Sequence, residues 1–462
     1  MTAASDITPD GSGRPFLALG RASSVAGNRT HAFGLGSLRR GAGMLLVVAI
    51  MLYPQAMLPL KATVLLVFLG LHANLWFSRV RMVRREILLF YLLIAFGGVV
   101  WCMVGYRNGG DLQGISDAFR LRVIWSGLFI LIFCSFHTTL RYRNIHRAIC
   151  LAVLLVAAVN LVAVIDRNYS LGLLSEGFKD EMFLQFGFKS GFPRLNAINV
   201  ATMLFAVPYL LACVFFSKRF SWATASCLVV GLATSVLSGR RALWLCIALS
   251  PLVITVVALL LSRWRAARRA ILLQAAIAVL GLGAFLLVAN TAETVAPVRE
   301  FVLQAFSEED ERSIQFGYLM AGHQEYPMMG SGFGVGAGYV RSETAPWTYE
   351  LTYVQMLFNL GWVGTIYVVS VFAGFTAWAI RTLRALPVTE VVEPSLLVGL
   401  LTIILAANSN PYMGSFDFLF YLGFLPFIVA GKSPSLTVAR HTTSPSCLPH
   451  GTRGPGAQSS NT

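Results

Sequence analysis

Charge is what this chain has least of: only 12% of its 462 residues are Asp, Glu, Lys or Arg, against 56% hydrophobic, with a mean hydropathy of +0.68. So little charge excludes a water-soluble domain of this length, which carries about a quarter of its residues charged. Cysteine is scarce too: none of the seven lies in the two long loops described below, and six lie in apolar runs, which excludes a disulfide framework outside the membrane. No small-residue cleavage site adjoins the polar, Gly- and Ser-rich N-terminal stretch, so it does not read as a signal peptide. There is no internal repeat of fixed period, no soluble catalytic domain and no strand-to-helix glycine fingerprint for a dinucleotide. His323 and Glu325 have no third or fourth ligand at a useful spacing, so no metal site is implied, and a lone histidine here reads as polar surface.

What is present is length without charge. A bilayer core of roughly 30 Å takes about 20 apolar helical residues to cross. About twelve runs approach that length, over 43–60, 62–78, 86–106, 121–136, 147–166, 198–216, 221–237, 242–262, 270–289, 351–379, 394–409 and 415–431. The sequence therefore predicts an all-α polytopic membrane protein of about 12 transmembrane helices. Residues 1–42 form a disordered tail, 43–289 hold helices one to nine with a loop at 167–197, and 290–350 form a large loop. Residues 351–431 hold the last three helices, and 432–462 a second disordered tail.

Orientation follows from the basic residues. With the N-terminus inside, cytoplasmic segments hold 23 of the 36 Lys and Arg, including the clusters at Arg79–Arg85 and Arg263–Arg269, while the opposite side holds 16 of the 21 acidic residues. The net charge of +15 is thus cytoplasmic in origin, which makes anionic membrane lipid its partner and requires no nucleic acid. The two long loops both fall outside. The larger contains FVLQAF and IQFGYLM at helical spacing on either side of SEEDER, which predicts helices on or beside the membrane surface.

Four constellations on that external side bear chemistry. Arg240 and Arg241, after Ser238-Gly239, stand between two apolar runs where the positive-inside pattern disfavours them; an arginine near the bilayer centre costs about 2.5–3.5 kcal/mol, less at the interface. One reading is a headgroup contact, the other an anion site, since guanidinium is permanently charged and pairs with phosphate in bidentate fashion. From Arg312 to Tyr339 a helical stretch ends at Pro327 and gives way to alternating glycines, including Gly332 and Gly334, which let backbone approach a ligand or lie flat on the bundle. Glu350 stands one residue before an apolar run, either as a carboxylate facing a helix dipole, worth about 0.3–1 kcal/mol, or as a general base. Arg194 and Asn196 lead into the sixth span.

In order and sidedness these elements resemble the O-antigen ligase and polymerase superfamily of bacterial membrane glycosyltransferases. The matching residues are Arg194 with Asn196, Ser238 to Ala242, Arg312, Pro327 to Gly332, and Tyr353-Val354-Gln355 with Gly361 and Gly364; the resemblance covers roughly 190–365. It implies a fold of the lipid-linked glycosyltransferase type with a large periplasmic loop, in the inner membrane, working without cofactor, metal or nucleotide sugar. The donor would be a glycan on undecaprenyl pyrophosphate. Arg240, Arg241 and Arg312 would hold the pyrophosphate, with Arg240 favoured by its spacing before Ala242, while Glu350 would deprotonate or orient the acceptor hydroxyl. Arg194, Asn196, Gly332, Gly334 and Tyr353 would contact substrate. Glu350 occupies the position where ligases of this family carry histidine, which favours a polymerase of polysaccharide repeat units, served by a chain-length regulator protein. A ligase acting on lipid A core is the alternative. A flippase fits less well, because it would carry its cations mid-span with short loops.

Overall fold

The computed structural model describes residues 34–431 except 55, 79–82, 183, 190–191, 291–308, 342, 344, 388 and 408–413. The predicted tails at 1–33 and 432–462, and FVLQAF at 301–306, lie outside the described residues. Apolar runs become helices because a helix satisfies its own backbone N–H and C=O groups where no water can. The order is α1 (Leu35–Leu52), α2 (Leu58–Ser78), α3 (Arg85–Arg107), α4 (Leu112–Phe119), a π-helical turn (Arg120–Ile124), α5 (Trp125–Thr139) and α6 (Tyr142–Tyr169). Then follow α7 (Glu176–Glu181), the strands β1 (Gln185–Lys189) and β2 (Phe192–Asn196), α8 (Met203–Phe216), α9 (Trp222–Leu237), α10 (Arg241–Leu260) and α11 (Trp264–Asn290). The chain closes with α12 (Glu309–Glu325), α13 (Thr352–Arg384), α14 (Val392–Ala406), α15 (Phe416–Leu422) and α16 (Phe424–Val429).

Among the described residues, eight helices are long and apolar enough to cross a membrane, and three shorter apolar ones cover Trp222–Leu237, Val392–Ala406 and Phe416–Val429. The chain is thus a helical, multi-pass membrane protein. Several spans differ in extent from the sequence reading, two of them by eight residues or more. Helix α1 starts at Leu35, so residues 35–42, expected in the tail, are helical. The span expected from 121 starts at Leu112, where the Asp111 carboxylate caps the N–H groups of Gln113 and Gly114 and lets the helix begin earlier. The loop at 167–197 also forms an antiparallel hairpin, β1 with β2, that was not foreseen; Phe186 and Phe188 alternating with small or polar residues before Ser190-Gly191 carry its signal.

Hydrogen bonds sort the turns into two ends. At one, Met57 N–H donates to Glu181, Asp111 N–H to the Gly334 carbonyl, and Arg240 to the Ala197 carbonyl. At the other, Arg263 donates to the Glu390 carbonyl, Arg269 to Ser217, and His137 bonds the Ala430 carbonyl. Among the described residues, the first end carries most of the acidic side chains, and the second carries Arg263 to Arg269 together with Glu390 and Glu393. Between them lies an aromatic core in which Phe205 stacks on Tyr421 at 4.6 Å and Phe133 contacts Phe420 at 5.4 Å.

Helix α13 is broken at Gly361, which has φ +61° and ψ −169°. The break is filled by Pro327 to Gly332. Trp362 and Val363 N–H donate to the carbonyls of Pro327 and Met328, while Ser331 and Gly332 N–H donate to those of Phe358 and Asn359. Trp101 Nε1 from α3 binds the Met329 and Leu360 carbonyls at 2.8 and 3.1 Å. A helix interrupted among apolar neighbours survives only if its freed backbone groups find such partners. Backbones meet so closely that a Cβ on Gly330 would lie 2.4 Å from the Asn359 carbonyl oxygen. That contact is the physical reason for glycine on both sides.

Candidate functional site

The loop end of α13 holds a charged network. Helix α12 presents Glu311, Arg312 and Gln315 toward the segment that precedes α13. Arg312 Nε donates to Glu350 Oε2 at 3.0 Å and Arg341 Nη2 to Glu350 Oε1 at 2.6 Å, so each carboxylate oxygen has its own guanidinium. Gln315, fully buried, accepts the Glu350 N–H at 3.1 Å and donates to Glu311 Oε1 at 3.4 Å. Tyr339 donates to the same Glu311 oxygen at 3.3 Å, and Arg341 Nε lies 3.9 Å from it. Two carboxylates and two arginines alternate, each partly open to solvent, the Glu350 side chain 20% exposed and Arg312 50%. Burial and the neighbouring Glu311 carboxylate push the Tyr339 hydroxyl above its ordinary pKa, keeping it a proton donor. The Glu350 carboxylate retains acceptor capacity, since two oxygens offer about four lone-pair sites. The network can therefore fix a carboxylate in place while leaving it room to take a hydroxyl proton, and its arginines can face an anion.

Arg240 belongs to a second group. After Leu237 the chain turns through Ser238 and Gly239 (φ +63°), and Arg240 then caps α10 in an extended conformation, its N–H 3.3 Å from Ser238 Oγ. Its Nη2 donates at 2.8 Å to the carbonyl of Ala197, the residue that leaves β2. Arg194 and Asn196 are in β2, opposite Gly187 and Gln185, so the turn and the hairpin meet here; Arg241 is the first residue of α10.

The structure thus brings Arg312 to Glu350, and Arg240 to the segment of Arg194 and Asn196. Helix α14 stands between them: it packs on α8 and α10, and the carbonyl of its Ile404 accepts the Tyr353 hydroxyl from α13. Gly332 packs onto the Gly105 backbone of α3, and Gly334 takes the Asp111 N–H and lines a cavity described below. His323, expected at the surface, is 6% exposed, with its ring 5.8 Å from that of Trp362. No group of three or more His, Cys, Asp or Glu among the described residues could hold a metal.

Sequence reasoning missed Arg341, Gln315 and Glu311. Arg341 lies beyond the glycine stretch with no pattern around it, whereas Glu311 and Gln315 share a helix face with Arg312 and were legible once Arg312 was chosen. No protein-family model matches the chain, and no curated protein matches it.

Proposed function

We propose that the chain is a bacterial inner-membrane glycosyltransferase that polymerises repeat units carried on undecaprenyl pyrophosphate, with about twelve crossings and its site at the periplasmic face. The observation that carries this reading is the Glu350 carboxylate held between Arg312 and Arg341, where the large loop re-enters the bundle. Both long loops and the arginine-bearing turn at Arg240 fall at that same end, which also supports it.

In the reaction, an acceptor sugar hydroxyl attacks the anomeric carbon of the lipid-linked donor. A new C–O bond forms, the C–O bond to pyrophosphate breaks, and undecaprenyl pyrophosphate leaves with the electron pair. Glu350 takes the hydroxyl proton. Fixed guanidinium groups stabilise the charge that develops on the leaving group, a task for which arginine suits phosphate geometry. Arg312 and Arg341 first orient Glu350, and Arg240, supported by Arg241, holds the pyrophosphate. Arg194 and Asn196 meet sugar beside it. A chain-length regulator is the protein partner of such a cycle.

The test is polymer length in a cell lacking its own polymerase. Glu350→Gln and Arg240→Ala should each leave single repeat units in place of long chains, and wild-type polymer from both would sink the assignment. Sidedness has its own check. With Cys447 replaced by Ser, a cysteine at exposed Ser170 should react with an impermeant thiol reagent in intact spheroplasts, and one at exposed Arg265 only after permeabilisation; the reverse pattern would overturn the orientation.

A further inference from the structure

A cavity of about 670 Å3 opens among α3, the π-helical turn with its flanking helices, α13 and Ser415–Leu422. Its wall changes character along its length. Near the loop end it is lined by Lys61, Asp117, Thr348 and Gln355, and toward the middle of the helices by Leu93, Val371, Phe372 and Leu422. Such a gradient matches an amphiphile with a polar head and a long apolar chain. Thr348 is two residues from Glu350, so the polar half adjoins the carboxylate network.

Three cations line this space, and two of them are neutralised. Lys61 faces Asp417 at 3.7 Å, and Arg120 faces Asp117 at 2.7 Å. Arg122 is different: its guanidinium lies 3.9 Å above the Phe333 ring, and among the described residues it has neither a carboxylate partner nor a hydrogen-bond acceptor. A guanidinium stays charged and presents five N–H donors in a fixed fork, so one that faces a cavity with those donors unused lacks an anion. The residue is carried on the π-helical turn Arg120–Ile124, an irregularity frequent at functional sites, and Gly98 of α3 lets it approach, since a Cβ there would lie 2.7 Å from Arg122 Cβ.

We propose that this cavity binds a long-chain lipid phosphate separate from the donor whose pyrophosphate Arg240 holds, with Arg122 as the ligand of the phosphate and the Leu93–Phe372 wall as the bed of the chain. The choice of a polyprenyl chain over a diacyl one rests on the proposed function. The Phe333 ring beneath the guanidinium holds it in place by cation–π contact and leaves its edge for phosphate oxygens.

The test uses the full chain in nanodiscs with undecaprenyl phosphate as the probe, against undecaprenol and phosphatidylglycerol. Undecaprenyl phosphate should bind saturably and undecaprenol at least tenfold more weakly. Arg122→Gln should lower affinity for the phosphate at least tenfold, Arg122→Lys should recover part of it, and Val371→Trp, which fills the apolar half, should abolish binding. Wild-type affinity in Arg122→Gln, or phosphatidylglycerol competing as well as the polyprenyl phosphate, would overturn the proposal. If Arg122→Gln does not fold, undecaprenol binding as tightly as its phosphate overturns it instead. Arg122-dependent binding in a chain that makes no polymer would sink the polymerase alone, and polymer made without such binding would sink this site alone.

Discussion

Arg240 and Arg312 lie at the same end of the bundle, yet they are held in opposite ways. Arg240 is anchored to a backbone carbonyl at the edge of a hairpin, and Arg312 is tied to a carboxylate that a second arginine shares. A backbone carbonyl fixes where a guanidinium points, whereas a carboxylate also cancels most of its charge. Under the proposed function, anion binding falls chiefly to Arg240 and the positioning of Glu350 to Arg312.

The largest effect should come from the frame that carries α13, the helix Glu350 leads into. Gly361→Val places a branched side chain at a positive φ, with its Cβ 2.4 Å from the Gly330 nitrogen. Strain and overlap together should cost about 3 kcal/mol or more, so the detergent-extracted protein should lose its monodisperse peak in size exclusion. A stable, monodisperse Gly361→Val would mean that the loop insertion does not hold α13.

Next in size is the contrast itself. Arg240→Ala should reduce polymer formation by about a hundredfold, the usual cost of removing one donor to a developing negative charge, and Arg312→Ala by about tenfold. Arg312→Lys should recover more activity than Arg240→Lys, because pairing with a carboxylate tolerates an ammonium better than bidentate phosphate binding does. The inverse order would exchange the two roles.

The smallest effect is on stability. A double-mutant cycle on Arg341→Ala and Glu350→Gln, followed by thermal unfolding, should give a coupling of about 0.2–1 kcal/mol, because the side chains are 34% and 20% exposed and solvent screens the pair. A coupling above about 3 kcal/mol would mark the pair as buried and the network as a structural lock.

Much of this arrangement is legible in the chain. The apolar runs and the asymmetry of Lys and Arg define helices and ends, and Arg240, Arg312 and Glu350 stand out as charges at those ends. Two things escaped that reading. The insertion of Pro327–Gly332 into α13 is invisible because its two halves are about thirty residues apart and meet through backbone groups, which have no side-chain pattern. Arg122 lay inside an apolar run, where a charge is by default a pointer to function, but its neighbours gave no sign of it.

What the sequence determined by itself is the helical membrane class and which residues share an end, because transfer of apolar and charged groups between water and lipid depends on each residue's own chemistry. Tertiary structure decided which charges are cancelled. Pairing depends on distance: Arg312 meets Glu350 across 38 positions and Lys61 meets Asp417 across most of the chain, while Arg122 lies over the Phe333 ring with no carboxylate partner among the described residues. The same residue type in the same bundle becomes a brace or, on the proposal above, an anion ligand according to what folding places beside it.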